Sequence, residues 1–390
     1  MQPSDPVQPF RLSIPDAEIA DLRARLTSRR PPSPLPGDDW ATGVPESVLA
    51  SMLEHWRRFD WRAYEADLNA LPQFTTVIDG QTLHFIHVVS PVEGALPVLL
   101  LHGWPGSFLE FRALIEPLTD PERHGGDRDD AVSVVVPSLP GFGFSTPLVG
   151  SDWGATRIAE VLAELMDRLG YDRFAVQGGD VGAGVAPELG RVAPDRVVGV
   201  HVNGAVDFAT GLDEDAVAAL SPLERDRVAR IERFLRDEAG YIAIQSTRPG
   251  LIGAALADSP AGLMAWILDK LTAWSVPQEA SAADVLGLDF VLADVSLYWY
   301  TRSAGSSAFV GYAQGGGWGV TPENSGVPTA SLQFQHDIGI RSVDERSNTI
   351  VRWTDVEDRG GHFAALEEPE LLIEDLRAFL RTVRGTVARP

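Results

Sequence analysis

Gly178-Gly179-Asp180-Val181-Gly182 constrains the fold of this chain more than any other five residues. The segment follows directly on the short apolar run Phe174 to Val176 and leads directly into a helical pattern beyond Gly182. Small residues on either side of one central side chain permit a tight strand-to-helix turn that lifts that side chain out over a sheet. The pattern is G-x-nucleophile-x-G, and here the central group is a carboxylate. Gly-Asp is also ordinary turn chemistry, so the reading needs support from the rest of the chain. No G-x-S-x-G occurs anywhere, so a serine esterase or protease built on such a turn has no evident nucleophile.

The surroundings supply that support. Val98 to Leu101 and Val132 to Val136 are continuous apolar runs, as parallel strands covered on both faces require. Ile158, Val161, Leu162, Leu165 and Leu169 make one helical face between them and the elbow, and Val197 to Val202 reads as the next strand. Strand, loop and helix in repetition predict an α/β sheet with right-handed crossovers. Upstream, Pro15 can occupy the first turn of a helix carrying Ile19, Leu22 and Leu26, and Leu49, Leu53 and Trp56 continue the helical spacing after a proline-rich connector. Phe74 to Ile78 and Leu83 to Val89 then flank Asp79-Gly80, a two-residue hairpin signal. The alternation breaks after about Asp207 into a mainly helical stretch, with Val228, Ile231, Phe234 and Leu235 on one face and Leu263, Trp266, Ile267, Leu271 and Trp274 on another. Strand-like segments return at Ser331 to Phe334 and Thr349 to Trp353, and Pro369 opens a last helix. The expected organisation is therefore an N-terminal region over 1–90 ending in a hairpin that joins the core sheet, a core over 91–207, a helical cap over 208–325 and the rest of the core over 326–390.

Composition narrows the chemistry. The 390 residues carry 32 Lys plus Arg against 55 Asp plus Glu, a formal charge of −23, which repels phosphate backbones and anionic lipid. Nucleic acid and membrane surfaces are disfavoured partners. With no cysteine, thiol nucleophiles, disulfides and thiolate metal sites are excluded together. The N-terminus has neither a basic nor an apolar leader segment, and no run approaches about 18 apolar residues. A soluble, unexported, cytoplasmic protein is expected.

Two further loops fall where the elbow needs them. His102-Gly103-Trp104-Pro105-Gly106-Ser107 follows the strand Val98 to Leu101, where backbone N–H groups build an oxyanion hole, with Trp104 N–H and Val181 N–H as the donors. His102 itself reads as an orienting loop residue, and Pro137 to Ser145 shapes the same rim. Gly360-Gly361-His362-Phe363 lies after the last strand and before the last helix, the chain position of a triad histidine. Asp337, at the end of the preceding strand, can fix the tautomer of that imidazole. Asp344, Asp355 and Glu357 are rival acids whose settings look like exposed loops, and His336 is on the wrong loop to be the base.

Taken together with PFRLSIP, DLRARL, FDWR, LNALPQF and DGQTLHFIHVVS, then HGWPGS, LPGFGFS, GGDVG, GYIAIQSTRPG, ADSPAGLMAWILDK, LYW and GGHFAALEEPELL, the chain resembles a microsomal-type epoxide hydrolase of the α/β-hydrolase superfamily, in its soluble bacterial form. The resemblance runs nearly end to end. It implies an α/β-hydrolase fold with a helical cap and an N-terminal extension packing on the core. It also implies hydration of an epoxide to a vicinal diol through a covalent aspartyl ester, without cofactor or metal. By position Asp180 falls on the family's nucleophile, Asp337 on its charge-relay acid, where many members have Glu, and His362 on its base. Tyr241 in GYIAIQ falls on the first epoxide-binding tyrosine. Tyr312 is taken as the second, one position later than the family's spacing after Ser306-Ser307, with Tyr298 and Tyr300 packed into the cap. Val181 replaces the family's common tryptophan. The partners implied are an apolar, even aromatic, small-molecule epoxide and water, with a homo-oligomer left open and either detoxification or secondary metabolism as the role. Two alternatives stand beside this: a haloalkane dehalogenase-like hydrolase using the same aspartate, for which ten tryptophans could line a halide site, and a non-catalytic ligand-binding protein on the same scaffold.

Overall fold

The computed structural model describes residues 6–206, 212–314 and 322–384. Nine strands form a single sheet: β1 (Gln8–Phe10), β2 (Gln73–Ile78), β3 (Gln81–Val88), β4 (Leu96–Leu101), β5 (Val132–Pro137), β6 (Phe174–Gly179), β7 (Val197–Asn203), β8 (Pro328–Gln333) and β9 (Thr349–Asp355). Their spatial order is β1-β2-β3-β5-β4-β6-β7-β8-β9. The first three ladders, up to β3 on β5, are antiparallel and the rest are parallel.

The central strands take this form because nothing in them needs water. Val98, Leu99, Leu100 and Leu101 of β4 and Val132, Val134, Val135 and Val136 of β5 are fully buried, and β-branched residues suit the crowded pleat. The β2–β3 hairpin turns at Asp79 (φ 50°) and Gly80 (φ 80°), the two left-handed residues that match the twist of the flanking strands. Helices Asp16–Thr27 and Glu46–Arg58 bury Ile19, Leu22 and Leu26 against Leu49, Met52, Leu53 and Trp56. Pro15 is the residue just before the first of them rather than a member of its first turn.

Between β7 and β8 the described chain is helical. Its principal helices are Pro222–Asp237, Pro249–Asp258, Pro260–Ala273, Leu288–Thr301 and Ala304–Gln314. The expected change of pattern at Asp207 lies outside the described residues. Pro222–Asp237 begins with a reciprocal capping box between Ser221 and Glu224. Trp56 Nε1 donates to Ser296 Oγ at 2.7 Å, tying the N-terminal helices to Leu288–Thr301. Among the described residues no single helix is long and apolar enough to cross a membrane.

The sheet order reverses between β4 and β6, which puts the loops after β4, β6, β8 and β9 at one edge, the carboxyl ends of parallel strands. In open α/β sheets that edge is where ligands bind.

Candidate active site

Asp180 stands between the end of β6 and the helix Val181–Val192, with φ 54° and ψ −119°. A non-glycine residue in that conformation costs about 1 to 3 kcal/mol and persists only where its surroundings impose it. Here they do. Gly182 N–H donates to His102 O at 3.1 Å, and a Cβ on Gly182 would lie 2.2 Å from Leu101 O, so only glycine lets the elbow press this close to β4.

The carboxylate is divided between two environments. Oδ1 accepts from Trp104 N–H at 2.7 Å, while Oδ2 lies 3.4 Å from His362 Nε2. About a quarter of each side chain remains accessible. Burial pushes the Asp180 carboxyl up, but the imidazole and the N–H groups of Trp104 and Val181 outweigh it and hold the group below the ordinary carboxylate value. Both expected oxyanion donors therefore act on the one carboxylate.

His362 is placed by its own backbone, which donates to Trp274 O at 3.0 Å, and by the Trp274 ring, 4.9 Å from its imidazole. Burial opposes its charge, yet Asp180 in front and Asp337 and Glu367 behind raise it above the ordinary histidine value. Asp337 is buried, its Oδ2 accepts from Phe334 N–H at 2.7 Å, and burial raises its pKa to about 6. Its loop is clamped from the helical segment by Arg230, which donates to Asp337 O at 2.7 Å. Of the rival acids, Asp355 pairs with Arg227 at 2.6 Å and Glu357 is exposed. Asp344 is a correction: it is wholly buried in the short helix Arg341–Asp344 rather than held in an exposed loop. His336 is pushed down to about 4 by burial, then by His362 and Arg230. His102 is neutral as well, pushed down to about 4 by burial. Its Nδ1–H donates to Gly103 O and its Nε2 accepts from Leu139 N–H, both at 3.1 Å, so it laces the two rim loops together.

Tyr241 is brought to the site. Its ring stacks on Trp104 at 4.9 Å and 12°, leans on Trp274 at 5.4 Å and lies 5.5 Å from Lys270 Nζ. Burial, then the charges of Asp180 and Glu238, hold its phenol well above the ordinary value, so it stays protonated. Tyr312 is not brought to the site. It is 48% exposed and leans on Phe309, at a ring separation of 5.4 Å. The one-residue offset explains this: Gly311 faces the buried Gln245, and the next residue is turned about 100° further round the helix. Tyr298 and Tyr300 are packed as expected, the first donating to Gly106 O at 2.9 Å and the second set edge-on to Trp61 at 4.9 Å.

Three acids nearby escape sequence reasoning. Glu367, whose pKa burial raises to about 7, accepts from Val276 N–H and Phe363 N–H, both at 2.9 Å. Glu110 and Asp294 are buried behind the Gly103–Ser107 loop. Only Glu110 left a trace, the S-x-x-E spacing from Ser107 that marks a capping box.

A mixed sheet with this elbow and a helical insertion after its fourth parallel strand defines the α/β-hydrolase class. The family description "alpha/beta hydrolase fold" matches residues 97–241, and "Epoxide hydrolase N terminus" matches residues 7–111. A protein of Stigmatella aurantiaca (strain DW4/3-1) that carries an epoxide hydrolase name is 40% identical over 383 residues, 97% of this chain and 86% of that one. Epoxide hydrolase 1 of Sus scrofa is 34% identical over 408 residues, 96% and 88% of the two chains. The crystal structure of juvenile hormone epoxide hydrolase from the silkworm Bombyx mori superposes with a TM-score of 0.88 at 29% identity, covering 98% of this chain and 96% of that one. The chain belongs to the epoxide hydrolase family and is a hydrolase that adds water to epoxides.

Proposed function

We propose that Asp180 opens the epoxide and His362 releases the diol, in two steps. Asp180 Oδ2, which faces His362, attacks a ring carbon while Oδ1, held by Trp104 N–H, remains as the future ester carbonyl. The C–O bond of the ring breaks, and the basic alkoxide takes its proton from Tyr241, the half-buried phenol whose ring stacks on Trp104. His362, under the field of Asp337, then takes a proton from water as that water adds to the ester carbonyl. The tetrahedral oxyanion develops at Oδ1, already bonded to Trp104 N–H, with Val181 N–H also bonded to the same carboxyl group. On collapse the proton on His362 passes to the departing diol oxygen, and loss of the proton left on the new carboxyl, equal to the one Tyr241 gave up, restores both carboxylate and phenol.

The observation that carries this reading is the division of Asp180, one oxygen held by a backbone donor and the other turned to a histidine. A protonated phenol beside it suits an alkoxide leaving group, whereas a halide needs no proton. Trp104, Trp274, Phe234 and Phe363 crowd Tyr241 and His362, which supports an apolar or aromatic epoxide as substrate. The acidic surface supports a cytoplasmic protein without nucleic-acid or membrane partners. A single turnover of styrene oxide in heavy-oxygen water is the test. The first diol should carry an oxygen from Asp180, and label should enter that carboxylate; a first diol labelled wholly from solvent would end the two-step scheme.

A further inference from the structure

The Gly103–Ser107 loop runs between two carboxyl groups. A Cβ on Gly103 would lie 2.2 Å from Asp180 Oδ1, and one on Gly106 would lie 1.5 Å from Glu110 Oε1. Each glycine leaves the space that its carboxyl occupies. Glu110 sits in the 3-10 helix Phe108–Phe111, is 9% exposed, and lines the same cavity as Asp180, His362 and Asn203. That cavity has room for a single water, whose centre can range over about 10 Å³.

A water there needs acceptors for its two hydrogens, and the choice is short. His362 Nε2 is one. Asn203 Oδ1 already accepts from Gln177 Nε2 at 2.8 Å, and the Glu110 carboxyl lies on the same cavity wall as a second acceptor. The Ser107 N–H, in the S-x-x-E spacing, weakly favours the charged form of the Glu110 carboxyl. Burial, then the charges of Asp294 and Asp180, hold Glu110 well above the ordinary carboxylate value. A neutral carboxyl offers a C=O acceptor without competing with the imidazole for the proton.

We propose that Glu110 anchors the hydrolytic water, accepting one hydrogen while His362 Nε2 accepts the other, so that a lone pair is aimed at Cγ of the Asp180 ester. The O–Cγ bond forms, the Cγ–O bond to the substrate breaks, and the proton taken by His362 passes to the departing diol oxygen. Glu110 touches the reacting water in the second step only. The inference rests on the roles given to Asp180 and His362.

Rapid-quench single turnovers of styrene oxide by the full chain, with the ester read from the mass of the quenched protein, separate the two steps. Glu110→Ala should slow ester hydrolysis on the order of 10²-fold, so that ester accumulates, with alkylation unchanged within about threefold. Glu110→Gln keeps both the cap and a C=O in place and should hydrolyse within about fivefold of the parent. Normal hydrolysis in Glu110→Ala, equal slowing of both steps, or a Gln variant as slow as the Ala variant would overturn the proposal. His362→Ala run in parallel keeps the two ideas apart. Ester trapped there alongside normal hydrolysis in Glu110→Ala removes the water anchor alone, whereas no ester in any variant removes both.

Discussion

Replacing Tyr241 by phenylalanine isolates one oxygen atom. The ring keeps its stacking on Trp104 at 4.9 Å, its lean on Trp274 at 5.4 Å and its place 5.5 Å from Lys270 Nζ, since none of these contacts uses the hydroxyl. Stability should therefore change by no more than about 1 kcal/mol. What the proposed mechanism loses is the proton donor for a strongly basic leaving group, a contribution worth about 10² to 10⁴ in rate. Where two phenols share that task the survivor keeps part of the effect. Here Tyr312 is 48% exposed and leans on Phe309, so Tyr241 carries the task alone among the described tyrosines. The alkylation rate should fall by about 10³ to 10⁴, roughly 4 to 5.5 kcal/mol, while the melting temperature stays nearly unchanged. Stopped-flow tryptophan fluorescence reads the step directly, because Trp104 and Trp274 both contact the ring. Tyr312→Phe is the companion and should alkylate within about twofold of the parent. Comparable losses in the two variants, or a loss below about tenfold for Tyr241→Phe, would refute the reasoning.

His362→Ala should form the ester at a near-normal rate and hydrolyse it about 10² to 10⁴ times more slowly, as trapped mass would show. Asp294→Asn should stabilise the protein in a pH-dependent way. Burial raises the Asp294 carboxyl to about 8, so the folded state must take up a proton from above its unfolded value of about 3.9. The resulting penalty is absent below that value and grows through the window, to on the order of 4 kcal/mol at pH 7. The gain in melting temperature should thus be larger near about pH 8 than near about pH 4, and a pH-independent gain would refute it. Gly182→Ala should cost more than about 3 kcal/mol and abolish turnover, since its Cβ would lie 2.2 Å from Leu101 O. Gly184→Ala, exposed in the same helix with nothing within 4 Å, should gain about 0.5 to 1 kcal/mol in a denaturant melt.

Legibility in the sequence followed the range of the interactions involved. β4, β5 and β7 are valine- and leucine-rich runs, and the β2–β3 hairpin is announced by Asp79-Gly80, so local pattern suffices for them. β1 is three residues of Gln-Pro-Phe paired to β2, too short to show a period. Asp180 and His362 were readable because backbone geometry demands glycines around them. Tyr312 was not, because its placement turns on helical phase, and one residue of offset moves a side chain from an inner face to the surface. Glu110, Asp294 and Glu367 look like the solvated acids found throughout a chain of charge −23. Only the folded packing shows them buried, with Asp294 accepting from Ser107 Oγ and Glu367 from the N–H groups of Val276 and Phe363.

In the proposed scheme the pairing of Asp180 with His362 also supplies an order of events. While the carboxylate is free, its charge holds the imidazole above the ordinary value and the imidazole holds the carboxylate below its own. A protonated His362 cannot act as a base, but it leaves Asp180 ionised and nucleophilic. Ester formation converts that carboxylate to a neutral group, and the largest favourable charge on the imidazole disappears. Burial, which opposes the imidazolium, then acts against only Asp337 and Glu367, both weakened by their own raised values of about 6 and about 7. On the proposed roles, the imidazole's hold on a proton therefore weakens at the point in the cycle when a base is required. The Tyr241 phenolate left by that same step is a ready acceptor for it. Hence the first chemical step prepares the second, and the Asp180 charge is what connects them.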